Sequence, residues 1–298
     1  IDILFFYLIV FKLHKGILCV ENYTNEKVNI PSYFIKLNKF SDKYKYLQND
    51  FRPIMNSDSR EKSILIFGCS YAYGYIFDNE ETISYIMSKF SKRPIYNFSF
   101  SGFGIQHMIY QLKEDKNIYK FIKKPKYIFY VLMDNSGHFD RLYYTCFPNI
   151  LSNEYYLTYK IKNDDLYQRK PLFNCYYQFA IIRHIYNKIV ERKVQFLKSN
   201  FSIYDDIVYY FKYANKLIKN YWGNDTKLII LGFSGNNSEY WKDKLEEAGI
   251  DYIDIEELIG YNIMDLNSDY WKLELDAHPT GRLWNDLLPK LKEKYSDL

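Results

Sequence analysis

The stretch Ser63-Ile64-Leu65-Ile66-Phe67-Gly68-Cys69-Ser70-Tyr71-Ala72-Tyr73-Gly74 decides how this chain folds. Its first half, SILIFG (63–68), is a short unbroken apolar run, the pattern of a strand buried on both faces. A glycine closes the run and polar sequence follows at once. Outward from this point the pattern recurs: IYNF (95–98), YIFYVLM (127–133), KLIILG (227–232) and DYIDI (251–255) read as four more strands. Between them apolar residues fall at helical spacing, first Ile83, Ile86, Met87 and Phe90, then Ile105, Met108, Ile109 and Leu112. Asp78, with Glu81 three residues on, reads as the N-cap and capping-box partner of the first of these helices. Further helices are expected over 239–248, ending at Gly249, and from Thr280 onward, where Pro289 should kink or end the last one. Strand and helix alternating through short loops imply an α/β chain: a three-layer α/β/α sandwich with a five-stranded parallel sheet.

The interval 142–222 interrupts that alternation. It reads as a hairpin around EYYLTYKIKNDDLYQ (154–168) and two long helices, roughly 177–198 and 203–221. The expected organisation is an N-terminal segment, 1–60, followed by one domain, 61–298, that carries this insertion. Residues 3–11 are an unbroken apolar run, half the length a membrane-spanning helix requires. The chain opens with Ile1 rather than Met, so the run reads either as the end of a membrane anchor or as a buried segment of the domain. Lys12 and Lys15 follow the run, whereas a signal peptide has its basic residues first. Basic residues after a span would favour a cytoplasmic C-terminal side, so the topology stays open at this point.

Composition excludes several classes. Of 298 residues, 48% are hydrophobic and 26% charged, which is ordinary for a globular chain and rules out disorder and fibrous repeats. Forty basic against 36 acidic residues leave a net charge of +4, too weak a bias for a nucleic-acid partner. Aromatic content is 20%, with 33 Tyr; together with the excess of Lys over Arg this matches AT-rich coding, and no function is read from it. Cys19, Cys69, Cys146 and Cys175 form no CxxC and have no histidine spacing suited to a metal.

In an open parallel sheet, ligands bind beyond the carboxyl ends of the strands. The polar segments found there are GCSYAYG (68–74), NFSFSGFG (97–104), MDNSGH (133–138) and LDAHPTG (275–281). They bring Ser70, Gly102, Asn135, Asp276 and His278 to one edge. A serine, a histidine and a nearby acid are the parts of an acyl-transfer site, with the neighbouring donors available to an oxyanion.

These four segments resemble the blocks of the SGNH/GDSL hydrolases. The first block, GDSxTxG, stands here as Gly68-Cys69-Ser70-Tyr71-Ala72-Tyr73-Gly74, the GCSxxxG form of bacterial relatives that often accompany cell-envelope polysaccharide genes. Gly102 matches the glycine of the second block. In the third, GxND, Asn135 falls in position while Met133 replaces the glycine and Ser136 the aspartate. Asp276-Ala277-His278-Pro279 looks like the last block. The resemblance covers roughly 61–298 and implies an SGNH/flavodoxin-like fold and a serine esterase acting on an acyl ester, an O-acetyl group on a glycan first. It implies Ser70 as nucleophile, His278 as general base and Asp276 as its orienting acid. The oxyanion hole would be the N–H groups of Ser70 and Gly102 with the Asn135 amide, and no metal or organic cofactor is implied.

Other readings stay open beside this one. An O-acetyltransferase would use the same triad with a sugar hydroxyl as acceptor. A glycan-binding protein could keep the fold without the activity. A nucleotide-binding Rossmann-like domain ranks last, because GxGxxG and GxxxxGK[ST] are both absent. His138 is a rival base; with Arg141 it forms an HxxR that reads equally as a substrate contact or a helix cap. Cys69 reads as a packing residue, and His184, amid Ile181, Ile182 and Ile185, as a structural one. The Tyr-rich insertion reads as a lid, a sugar platform or ordinary core.

Overall fold

The computed structural model describes residues 52, 54–74, 77–100, 103–114, 122, 124–134, 146–148, 155–157, 159–162, 165–168, 192, 202–233, 237–260, 269–272 and 278–298. The chain divides into two compact units, one formed by Phe40–Phe139 with Asp206–Leu298, the other by Ile1–Lys39 with Asp140–Asp205. Strands of the first unit are β1 (Ile64–Gly68), β2 (Ile95–Asn97) and β3 (Tyr127–Met133), and those of the second β4 (Cys146–Pro148), β5 (Tyr155–Leu157), β6 (Tyr159–Lys162) and β7 (Asp165–Gln168). The first unit resumes with β8 (Lys227–Phe233), β9 (Asp251–Asp254), β10 (Trp271–Lys272) and β11 (His278–Pro279). The helices are α1 (Ser70–Tyr73), α2 (Ile83–Ser88), α3 (Ile105–Glu114), α4 (Ser202–Trp222), α5 (Ser238–Glu246), α6 (Ile255–Ile259) and α7 (Gly281–Lys294).

The five strands read from the apolar runs form one parallel sheet, in the order β2-β1-β3-β8-β9. Successive strand residues face opposite sides. One side carries Ile64, Ile66, Phe129, Val131, Ile229, Leu231 and Ile253. They pack with Ile83, Ile86 and Met87 of α2, Ile255 of α6, and Leu283, Trp284, Leu287, Leu288 and Leu291 of α7. On the other side Tyr130 meets Phe211 of α4 edge-on at 5.1 Å. There the apolar sides of α3 and α5 are buried through Ile105, Met108, Ile109, Leu112, Trp241 and Leu245. Each such side chain contributes about 1.5–3 kcal/mol when fully buried. The result is the expected three-layer sandwich.

The outer edge of β2 is covered. Met55 and Ile95 exchange both backbone hydrogen bonds, at 3.2 and 2.9 Å, and Asn56 Nδ2 donates to Ser91 O at 2.7 Å. A preceding segment therefore closes a row of donors and acceptors that would otherwise be open to another strand. At the amino ends of β9 and β3, Tyr295 Oη donates to Asp251 at 3.0 Å and the Tyr127 hydroxyl to Asp297. Burial pushes both phenols above their ordinary range.

In the second unit β6 and β7 form the expected hairpin, whereas β5 pairs antiparallel with β4. Apart from Arg192, the helix expected over 177–198 lies outside the described residues, as does the apolar run 3–11. Among the described residues no helix is long and apolar enough to cross a membrane.

Two local expectations are corrected. Asp78 precedes a single 3-10 turn, Asn79–Glu81, and makes no capping bond; Thr82 caps α2, its side chain accepting from Tyr85 N. The 3-10 turn takes up the three residues that the capping box required, so the α-helix starts two residues beyond Glu81, after Thr82. Pro289 does not end α7, which runs on to Lys294. Leu287, Leu288 and Leu291 on either side of it are fully buried, and that burial outweighs the hydrogen bond a proline cannot make. Replacing Pro289 by Ala should therefore stabilise the protein by up to about 3 kcal/mol; a denaturation midpoint no higher than the parent's would contradict this account.

Candidate active site

The sheet order places β1 and β3 side by side although β2 lies between them in sequence, and the crevice outside the carboxyl ends of such a pair is where α/β folds hold ligands. The chain leaves β1 there through a tight turn. Gly68 has φ +145°, and a Cβ on it would lie 3.0 Å from Ala72 Cβ and 3.1 Å from Val131 O. Only glycine lets α1 fold back so closely over β3. Cys69 caps α1 in extended conformation, with its side chain buried in the core, which suits the packing role. Ser70 is the first residue of α1 and is 9% exposed. Gly74, at φ +72°, closes the helix, its N–H donating to Ser70 O at 2.8 Å.

A helix of one turn leaves most of its own carbonyls without internal partners. Side chains from elsewhere supply them. Asn97, buried at the end of β2, donates through Nδ2 to Ala72 O at 2.9 Å. Its Oδ1 accepts from Ser99 N at 3.1 Å and from the Ser99 hydroxyl. Asn97 thus ties the serine turn to the loop that follows β2. That loop is held further by Phe98 N to Ile66 O at 2.7 Å and by Gln111 Nε2 to Phe98 O at 3.2 Å. His107 accepts from Gly104 N through Nδ1 at 2.9 Å and stacks on Phe103 at 4.5 Å. Arg52 takes Tyr73 O at the end of the turn, at 2.8 Å, and Gly74 O just beyond it.

His278 sits on β11, which bridges antiparallel to β10 through Lys272↔His278 and Trp271↔Pro279. Thr280 reinforces the bridge, donating N–H to Tyr270 O at 2.8 Å and Oγ1 to Asp269 O at 2.7 Å. The imidazole is buried and lies 5.2 Å from the Tyr71 ring, centroid to centroid. Tyr71 also meets Phe233 at 5.5 Å and Trp271 at 5.7 Å. The histidine is thereby set beside the helix that starts with Ser70, 208 positions earlier by number.

At the end of β3, Asp134 accepts from Asn237 Nδ2 at 2.9 Å and from Trp241 Nε1 at 2.8 Å, fastening the strand to the start of α5. Gly102, Asn135, His138, Arg141, His184 and Asp276 lie outside the described residues. Among the described residues, no group of three His, Cys, Asp or Glu could hold a metal ion. Sequence reading did not single out Asn97, Arg52, Asp134 or His107. Asn97 carried a signal, an amide at the end of a strand where asparagine is disfavoured. Arg52 carried none.

No protein-family model and no curated protein matches this sequence. Among solved structures, the chain is similar to a protein assigned to the G-D-S-L lipolytic family from Desulfitobacterium hafniense, at 10% identity and TM-score 0.43, over 78% of this chain and 99% of that one. It is also similar to a catalytic mutant of Axe2, an acetylxylan esterase from Geobacillus stearothermophilus, at 11% identity and TM-score 0.43, over 78% and 93%. A third likeness is to Est2A, an acetyl xylan esterase from Butyrivibrio proteoclasticus, at 10% identity and TM-score 0.43, over 80% and 66%.

Asn97→Ala should leave Ala72 O and Ser99 N buried without their donor and acceptor, costing about 1–3 kcal/mol. Chemical denaturation reads that loss, and an unchanged midpoint would show that the amide does not join the two loops.

Proposed function

We propose that this chain is a serine esterase of the SGNH/GDSL type, acting on small O-acyl esters, with O-acetyl groups of a glycan as its substrate class. Ser70 Oγ attacks the ester carbonyl while His278 takes its proton. The tetrahedral oxyanion is held by the N–H groups of Ser70 and Gly102 with the Asn135 amide, and collapses as His278 returns the proton to the leaving alcohol. Water, activated by the same imidazole, then attacks the acyl-serine, releasing the acid and restoring Ser70. Asp276 orients the ring.

The observation that carries this reading is the turn after β1. Gly68 lets α1, with Ser70 as its first residue, fold back over β3, and the next residue, Tyr71, is in ring contact with His278. Nucleophile and base are thus referenced to one helix. Support for a small acyl group comes from the same wall: Ser70 is nearly enclosed, and Tyr71, Phe233 and Trp271 fill the space on the histidine side.

A fluorophosphonate probe should label the wild-type protein and fail to label Ser70→Ala, while Cys69→Ala labels normally. Ser70→Ala and His278→Ala should each lose about 10⁴-fold or more in ester turnover. Among p-nitrophenyl esters the acetate should be turned over faster than the octanoate. Undiminished labelling of Ser70→Ala would remove the nucleophile from this scheme, and a preference for the long chain would remove the small-acyl pocket.

A further inference from the structure

Arg52 lies outside every strand and helix of the described fold, yet its guanidinium reaches into the serine turn. Nε donates to Tyr73 O at 2.8 Å, and one terminal nitrogen donates to Asn79 Oδ1 at 2.9 Å. The other donates to Phe77 O at 2.8 Å and to Gly74 O. The group also lies 4.8 Å from the centre of the Tyr73 ring. Four acceptors from four different residues, spread over 73–79, converge on one planar cation.

That convergence is costly unless something requires it. Burial works against the charge and pulls the Arg52 guanidinium below its ordinary range, with Asp78 and Glu80 opposing in part. The return is local rigidity. Tyr73 and Gly74 end the single turn that Ser70 begins, and their carbonyls are among the groups that a one-turn helix cannot satisfy internally. Lysine could not substitute, because a point-like ammonium has three donors and no flat face to lay on Tyr73. The backbone beside Arg52 is itself anchored, through the Met55–Ile95 bridge and the Asn56 contact to Ser91 O. A fixed arm therefore runs from the edge of β2 to the far end of the serine helix.

We propose that Arg52 is a positioning residue of the active site: it clamps the carbonyls of Tyr73, Gly74 and Phe77 and so sets where Ser70 presents its hydroxyl and its N–H. The proposal rests on the esterase reading for its catalytic consequence, but the clamp itself does not. Displacing a reacting group by about 1 Å can cost 100-fold in rate, and an effect of that order is expected in turnover, not in substrate affinity.

The test uses the full chain with Arg52→Lys and Arg52→Ala. Both should lower kcat for p-nitrophenyl acetate, and the rate of fluorophosphonate labelling, by about 10- to 100-fold. KM should stay within about twofold, because the clamp makes no contact with the ester. Methylguanidinium added to Arg52→Ala should restore part of the rate, whereas methylammonium should not. Amide hydrogen exchange across 69–77 should accelerate in both variants. Unchanged exchange there would overturn the clamp, whatever the activity does. Faster exchange with a parental turnover per labelled serine would overturn the positioning role. A wild-type protein that no ester and no fluorophosphonate engages would instead defeat the esterase reading, and the exchange measurement would still decide the clamp.

Discussion

The structure depends on the close approach at Gly68. A strand buried on both faces can enter a helix at once only if the chain reverses without a side chain in the way. Here the missing side chain is the one that would strike Ala72 and the carbonyl of Val131. Because β1 lies between β2 and β3, the reversal delivers α1 to the crevice where the strand order changes direction. An apolar residue in place of Gly68 would push α1 away from β3 and carry Ser70 with it. The packing constraint and the presentation of the serine are therefore one constraint.

Folding back so tightly creates a second demand. A four-residue helix has more orphan carbonyls than internal bonds, and in a nearly enclosed crevice water cannot be relied on to satisfy them. The chain meets this with side chains from both flanks, Asn97 from the end of β2 and Arg52 from the segment that covers the edge of β2. Both donors originate beside the same edge strand. The serine turn is thus stabilised from one side of the sheet, while its other side faces β3 and the histidine.

How far the sequence could be read follows from the range of the forces involved. The five strands were legible because each is a continuous apolar run, and burial on both faces writes itself into consecutive residues. That Ser70 and His278 would come near one another was legible because strand ends collect polar residues on one edge, and Tyr71 beside Ser70 does meet His278. Local signals failed where a stronger interaction overrode them. Pro289 disfavours a helix, but the leucines around it bury against the sheet; Asp78 and Glu81 have capping-box spacing, but a 3-10 turn occupies that spacing and Thr82 takes the cap. Arg52 was illegible for another reason. Its partners lie 21 to 27 positions away, in a segment without periodicity, and nothing in its neighbours distinguishes it from a surface arginine.

The placement of His278 shows how two distant segments can share one reference. A two-residue β-bridge to 271–272 fixes its backbone, but a bridge that short leaves the imbalance of a loose loop unless its side chains are wedged. Tyr71 supplies the wedge. Its ring touches His278, Trp271 and Phe233 at once, so it packs against the histidine, against the strand that pairs with it, and against the end of β8. Tyr71 also follows Ser70 in the chain. Any shift of α1 therefore moves the wedge with the serine, and the imidazole can follow. The position of His278 relative to Ser70 is better kept under such coupling than the absolute position of either, and relative position is what the proposed proton transfer would require.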